Sequence, residues 1–257
     1  GTFFNIARTF EAIEQRDDVL KGVAAKRKKA PARLLWEVQT LADNEAARAQ
    51  KHAAENFFRT LSTRSAIDKT VRGGLPLLIE QMMDAIGKRY SCHEFQFTRT
   101  PDGTPTAILQ FVPLWNFEMK NSSLHFLDAN LSATPLNSDS WMITVGDGLM
   151  EASSIAYLYK HLPLRDWLLY CERNGMPGVK GITDAPVGSP EWSAAKEAVE
   201  NFGAEFTALL SRGANIEAID LSTRGELPYQ ALIQRMDQAI AALWRGADLS
   251  TLSSQHT

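Results

Sequence analysis

The chain has few cysteines. Cys92 and Cys171 are the only two among 257 residues, too few for a disulfide framework, so a reducing compartment is the default expectation. It also lacks a basic surplus. With 27 Lys and Arg against 30 Asp and Glu, the formal net charge is −3. A protein that grips duplex DNA by its phosphates carries the opposite balance, so tight binding over the whole surface is not expected. No run approaches the roughly 18 apolar residues of a membrane-spanning helix, and no leader peptide is expected. Gly-x-x-x-x-Gly-Lys-Ser/Thr, Gly-x-Gly-x-x-Gly and Gly-x-Ser-x-Gly are all missing. That argues against nucleotide hydrolysis, dinucleotide binding and a serine nucleophile at an elbow turn. No internal repeat or low-complexity tract is visible.

What is present divides by hydrophobic period. Residues 3–29 carry apolar side chains near helical spacing, and Pro31 should end that helix. Residues 34–40 alternate, with Leu34, Trp36 and Val38 against Leu35, Glu37 and Gln39, which predicts a strand. Asp43 or Asn44 can cap a helix running to about Leu61. A third helix, 76–89, places Leu75, Leu78, Ile79, Met82, Met83 and Ile86 in one stripe. Residues 91–98 then alternate, turn at Pro101-Asp102-Gly103 and return over 106–112, a hairpin. Short strands are expected at 124–127 and 141–145. The first 149 residues therefore predict a mixed α+β body.

Glu151 to Asn174 reads as one long helix closed by Gly175, spanning ~36 Å at ~1.5 Å per residue. Pro163 should interrupt and kink it. Apolar residues sit on several of its sides, so it is expected to be buried by its own chain or by neighbouring subunits. A small α/β module follows. Strands are expected at 176–182, 206–210 and 215–219, with a helix opened by Ser189 and Pro190. The last helix, 228–245, keeps Tyr229, Leu232, Ile233, Met236, Ile240, Leu243 and Trp244 on one face. Gln230, Gln234, Asp237 and Gln238 lie away from it.

No catalytic constellation emerges. Cys92-His93-Glu94 could suggest a metal, but on a strand His93 points opposite to its neighbours; a half-buried strand is the better reading. Lys26-Arg27-Lys28-Lys29 spreads around a helix axis and reads as a solvated helix end, where cations are favourable. Arg165-Asp166 and Glu172-Arg173 are adjacent on a helix and do not face each other; they suit contacts with other helices or subunits. His125 and His161 have no carboxylate or thiol at ligand spacing and read as structural. No catalytic, cofactor or metal residue is assigned.

The run Tyr157-Leu-Tyr-Lys-His-Leu-Pro-Leu-Arg-Asp-Trp-Leu-Leu-Tyr-Cys-Glu-Arg-Asn-Gly-Met-Pro177 resembles the portal proteins of Mu-like bacteriophages. The matching residues are Arg165, Asp166, Trp167, Glu172, Arg173, Gly175 and Pro177. Pro163 departs from the pattern, which has a helix former there. Trp36-Glu37-Val38 resembles an early strand of that family. Asp84 to Glu94 resembles its helix-to-strand passage, and Tyr229 to Ile233 with Asp237 and Ile240 its later helix.

The resemblance implies a portal-like α+β architecture: a wing over 1–149, stem helices over 150–174 and 227–247 packed antiparallel, a clip over 175–226 between them, and the start of a tunnel loop over 248–257. The family continues beyond Leu252. The implied function is a non-enzymatic head–tail connector, a ring at one capsid vertex through which the genome is packaged and ejected. The implied partners are other copies in a dodecamer, the terminase large subunit, capsid and scaffold proteins, head-completion or adaptor proteins and double-stranded DNA, with no membrane and no cofactor. The implied location is the virion, with host cytoplasm during assembly. Arg165, Asp166, Trp167, Glu172 and Arg173 would approach subunit contacts. Gln230, Gln234, Asp237, Gln238, Ser250 and His256 would approach the tunnel. A mildly negative chain suits a channel in which DNA must slide, since a basic sleeve would hold phosphates. A nucleic-acid enzyme subunit and another ring-forming virion protein are the alternatives.

Overall fold

A computed structural model of the chain describes residues 2–175, 178–205, 214–219 and 228–246, with side chains at 2–172, 181–200 and 228–246. The chain divides into two compact units, Gly1–Leu158 with Met236–Thr257, and Tyr159–Arg235.

The first unit opens with two helices, α1 (Thr2–Arg16) and α2 (Asp18–Ala32), where the hydrophobic period predicted one. Asp17 divides them. Its backbone leaves the helical region and its buried carboxylate accepts from the Leu20 amide at 2.8 Å, capping α2. Pro31 does not end α2 early; it sits in the final turn. Asn44 caps α3 (Glu45–Thr60) by accepting from the Ala47 amide. The predicted helix 76–89 is split at Met83 into α4 (Leu75–Met82) and α5 (Asp84–Lys88).

The strands of this unit are β1 (Ser62–Ser65), β2 (Arg72–Gly73), β3 (Tyr90–Arg99), β4 (Pro105–Val112), β5 (Phe117–Lys120), β6 (Ser123–Leu127), β7 (Ala133–Pro135) and β8 (Trp141–Val145). They form a five-stranded sheet in the order β2-β1-β4-β3-β8 and a three-stranded sheet β5-β6-β7. The β3–β4 hairpin pairs Arg99 with Pro105 across a turn that needs positive φ at Gly103. The expected strand at 34–40 does not form: residues 35–40 have no ladder partner.

The larger sheet carries a core on each face of its central strands. Cys92 and Val112 pack with Ala7 of α1 and with Leu114, Phe117 and Leu124. Leu109 and Ala107 pack with Leu61 and Leu78, flanked by Phe57 and Phe95. Ser91, Cys92 and His93 are therefore all buried, and the half-buried reading of that stretch is corrected.

Helix α6 (Met150–Gly175) continues through Pro163 without a break, so the expected interruption is absent. Helix α8 (Tyr229–Arg245) ends at Gly246, which adopts positive φ. Both helices contribute residues to both units. In the first unit, Met150 of α6 and Ile240 and Trp244 of α8 join Ile13, Leu20, Val23 and Ala24 in one core.

The second unit holds β9 (Gly178–Thr183), α7 (Pro190–Glu205) and β10 (Ala214–Ile219). Ser189 caps α7 through the Trp192 amide. The two strands pair antiparallel. A Cβ at Gly181 would lie 2.3 Å from Val199, so glycine is what lets α7 approach the strand. The strand expected at 206–210 lies outside the described residues.

Candidate functional site

Helices α6 and α8 meet in each unit. In the first, the indole Nε1 of Trp244, late in α8, donates to the Ser153 hydroxyl, early in α6, at 2.9 Å. In the second, Tyr229 at the start of α8 stacks on Trp167 late in α6, with ring centroids 6.4 Å apart and planes 18° from parallel. The one-sided face of α8 directs this packing: Ile240 and Trp244 are fully buried, while Tyr229, Ile233 and Met236 are half-buried.

The opposite side of α8 is polar. Gln230, Gln234 and Gln238 are exposed at a spacing of four residues, forming one stripe. Asp237 departs from them; it is half-buried and turned away from solvent. Ser250 and His256 lie outside the described residues.

Helix α6 is not buried on all sides by its own chain. Ile155, Leu158, Tyr159 and Leu162 are 57%, 52%, 56% and 43% exposed, and further along Leu168 is 67% and Leu169 45% exposed. Trp167 is half-buried against Tyr229. Arg165 and Asp166 do meet, contrary to the expectation from adjacency: Arg165 Nη2 lies 3.2 Å from Asp166 Oδ1, with both groups well exposed. Such a pair stabilises little. Glu172 is exposed, and Arg173 lies in α6 with its side chain outside the described ones.

The first unit anchors α8 through charge. The Arg27 guanidinium donates to the Trp244 carbonyl near the C-terminal end of α8, where a cation meets the negative end of the helix dipole. Next to it, Lys28 reaches Glu14 and lies 2.7 Å from Asp84. Lys88 reaches Glu11, lies 3.0 Å from Asp84 and 3.4 Å from Glu14. Burial alone would raise the Asp84 carboxyl, but Lys88 and Lys28 outweigh it and hold it below its ordinary range. Burial would lower the Lys88 ammonium, but Asp84, Glu14 and Glu11 hold it above. The basic run 26–29 is thus not simply a solvated helix end, because two of its four cations are bound inside. Sequence reading missed this cluster. Its only sequence signal is the four-residue spacing of Asp84 and Lys88, which is equally that of a surface pair.

His93 Nε2 faces Gln81 Oε1 at 3.2 Å, while its buried Nδ1 has no hydrogen-bond partner. Burial pushes its pKa down to about 4. Burial likewise pushes the Cys92 thiol up to about 12, which leaves it a protonated, unreactive core residue. His125 rests against its own β6 through the Ser123 carbonyl, as a structural histidine does.

A model of the portal protein of Mu bacteriophage matches residues 7–257. No curated protein matches the chain. Among solved structures, a chain from the neck of an empty gene transfer agent particle computed with C6 symmetry superposes with a TM-score of 0.59 at 13% identity, covering 92% of this chain and 67% of that one. A chain from the neck of a native gene transfer agent particle computed with C12 symmetry gives 0.55 at 11%, covering 88% and 64%. An HK97-family phage portal protein from Corynebacterium diphtheriae gives 0.40 at 15%, covering 83% and 77%. This chain spans about two thirds of the length of the two neck chains, and the likeness of fold rests on those two.

Proposed function

We infer the role of this chain from one premise: it belongs to the portal protein family of Mu bacteriophage. It is a portal, or head–tail connector, subunit with an α+β fold and a place in a multi-subunit virion ring. Membership of that family suits a structural role rather than a catalytic one.

The finer assignment is ours. Residues 1–149 form the wing, 150–174 and 227–247 the stem, 175–226 the clip, and 248–257 begin the tunnel loop. Twelve copies close the ring at one capsid vertex. The terminase large subunit docks there during packaging, with capsid and scaffold proteins around the ring and head-completion or adaptor proteins following. The ring assembles in the host cytoplasm before it joins the virion.

The observation that carries this reading is the outward face of α6. Ile155, Leu158, Tyr159 and Leu162 recur at three-four spacing and are each about half exposed. An apolar strip of that kind on one helix is what a neighbouring subunit covers. The glutamine stripe of α8 supports a channel wall. Gln230, Gln234 and Gln238 are neutral and exposed, so they can exchange weak hydrogen bonds with phosphates without holding them. Electron microscopy and mass measurement on the purified full-length protein test the reading. Rings with a central channel and twelve subunits are expected. A compact monomer at every concentration would overturn it, and another subunit number would overturn the dodecamer alone.

A further inference from the structure

The first unit carries a run of chain without a ladder and a strand edge without a partner. One is the run 35–40, which has no turn, bend or ladder partner. Trp36 leans on Phe58 of α3, edge to face with centroids 5.8 Å apart, and Val38 is half-buried. The other parity points outward: Leu35 and Leu41 are completely exposed, and Glu37 and Gln39 are exposed between them. The second element is the free edge of β8, which pairs with β3 alone. On it Ile143 is 41% and Val145 66% exposed. A sheet edge with no partner strand is a template for another strand.

A groove of about 550 Å³ places Leu34, Leu35 and Trp36 beside Glu55 and Arg59 of α3 and Ile79 of α4. Helix α4 packs on β1, β2 and β3 of the sheet ordered β2-β1-β4-β3-β8. Edge to edge, that sheet spans four strand spacings, about 19 Å. A ring closes through a heterologous contact, in which two different surfaces on opposite sides of each subunit meet. The run 35–40 and the β8 edge are two different surfaces of that kind.

Charge agrees. Exposed Lys26, Lys29 and Arg33 precede the run, and exposed Asp139 and Asp147 flank β8 at its two ends. Whichever way the strand lies, Arg33 arrives next to a carboxylate.

We propose that residues 35–40 of one copy add as a sixth strand to the β8 edge of the next copy in the ring, so that the subunit sheets are joined by main-chain hydrogen bonds. This rests on the ring reading above. Hydrogen exchange on the unaltered full-length protein tests it, with the assembled ring compared to dissociated subunits. Amides of 35–40 and of β8 should both exchange at least about 10-fold more slowly in the ring. A Glu37→Cys and Ile143→Cys double variant, whose positions face each other in either strand direction, on a Cys171→Ser background, should oxidise into a ladder of covalent multimers. Rings in which either segment exchanges as fast as in the dissociated subunit overturn this inference and leave the portal reading standing. Rings that give no ladder, although both single variants assemble, also overturn it. Failure of the unaltered protein to form rings overturns the portal reading and this inference together.

Discussion

Trp244 offers the sharpest test of how the last helix is seated. Its side chain is 1% exposed, and a Cβ on Gly87 of α5 would lie 2.7 Å from the tip of its indole ring. Trp244→Ala should cost about 3–5 kcal/mol through lost burial and the cavity left behind. In the parent, Gly87→Ala gains about 1 kcal/mol of helix propensity. It loses more, about 1–3 kcal/mol, by forcing a methyl against a rigid ring held by Ser153. The net effect should be destabilising. With Trp244→Ala in place the clash is gone and the methyl fills part of the cavity. Gly87→Ala should then stabilise by about 1 kcal/mol, and the two changes couple by about 1–3 kcal/mol, the size of the clash. Urea unfolding followed by far-UV circular dichroism on the four proteins of the cycle measures this. If Gly87→Ala has the same sign and the same size, within about 0.5 kcal/mol, in both backgrounds, the indole is not seated on α5 and the anchoring described above is wrong.

His93 should make the fold acid-sensitive. Its folded pKa is depressed to about 4 against about 6.5 unfolded, so the neutral ring contributes fully above about pH 6.5. That contribution is lost as pH falls toward 4, to a total of about 3 kcal/mol. Urea midpoints measured from pH 7 to 4 should fall less steeply for His93→Gln, and identical slopes would refute the assignment. On the proposed channel face, Gln234→Ala should leave ring assembly intact. Replacing Gln230, Gln234 and Gln238 together by Lys should slow genome packaging, most at low salt, where phosphate attraction is strongest; a rate equal to the parent's at low salt would show that this stripe does not meet DNA.

The elements legible in the sequence were those whose burial has a single period. Helix α8 shows one apolar face and one polar face, and it packs accordingly. The β3–β4 hairpin was legible because its turn needs a glycine at positive φ. Residues 34–40 misled for a physical reason. Alternation records that one side of an extended chain is sheltered, here by Phe58, and does not record whether the backbone finds a ladder. Strand β1, Ser62–Ser65, was missed because a short polar strand carries no apolar alternation. Asp17 was hidden because helical spacing continues across it while the backbone does not. Lysines 28 and 88 could not be placed inside, since the groups that hold them, Glu11, Glu14 and Asp84, come together only once α1, α2 and α5 have packed. For the candidate site, the exposed glutamines were readable from helix geometry, but the Trp167–Tyr229 stack, the inward turn of Asp237 and the bare outer strip of α6 required the packed helices.

The five-stranded sheet has a core on each face around β4 and the start of β3, and this bears on how much its surface can vary. Its free rim is written in backbone, which every residue except proline supplies alike. Side chains along it can be exchanged one after another while the fold keeps its layout. Likeness of fold to particle-neck chains at 11–13% identity is what a layout held by a central core and a backbone-lined rim allows.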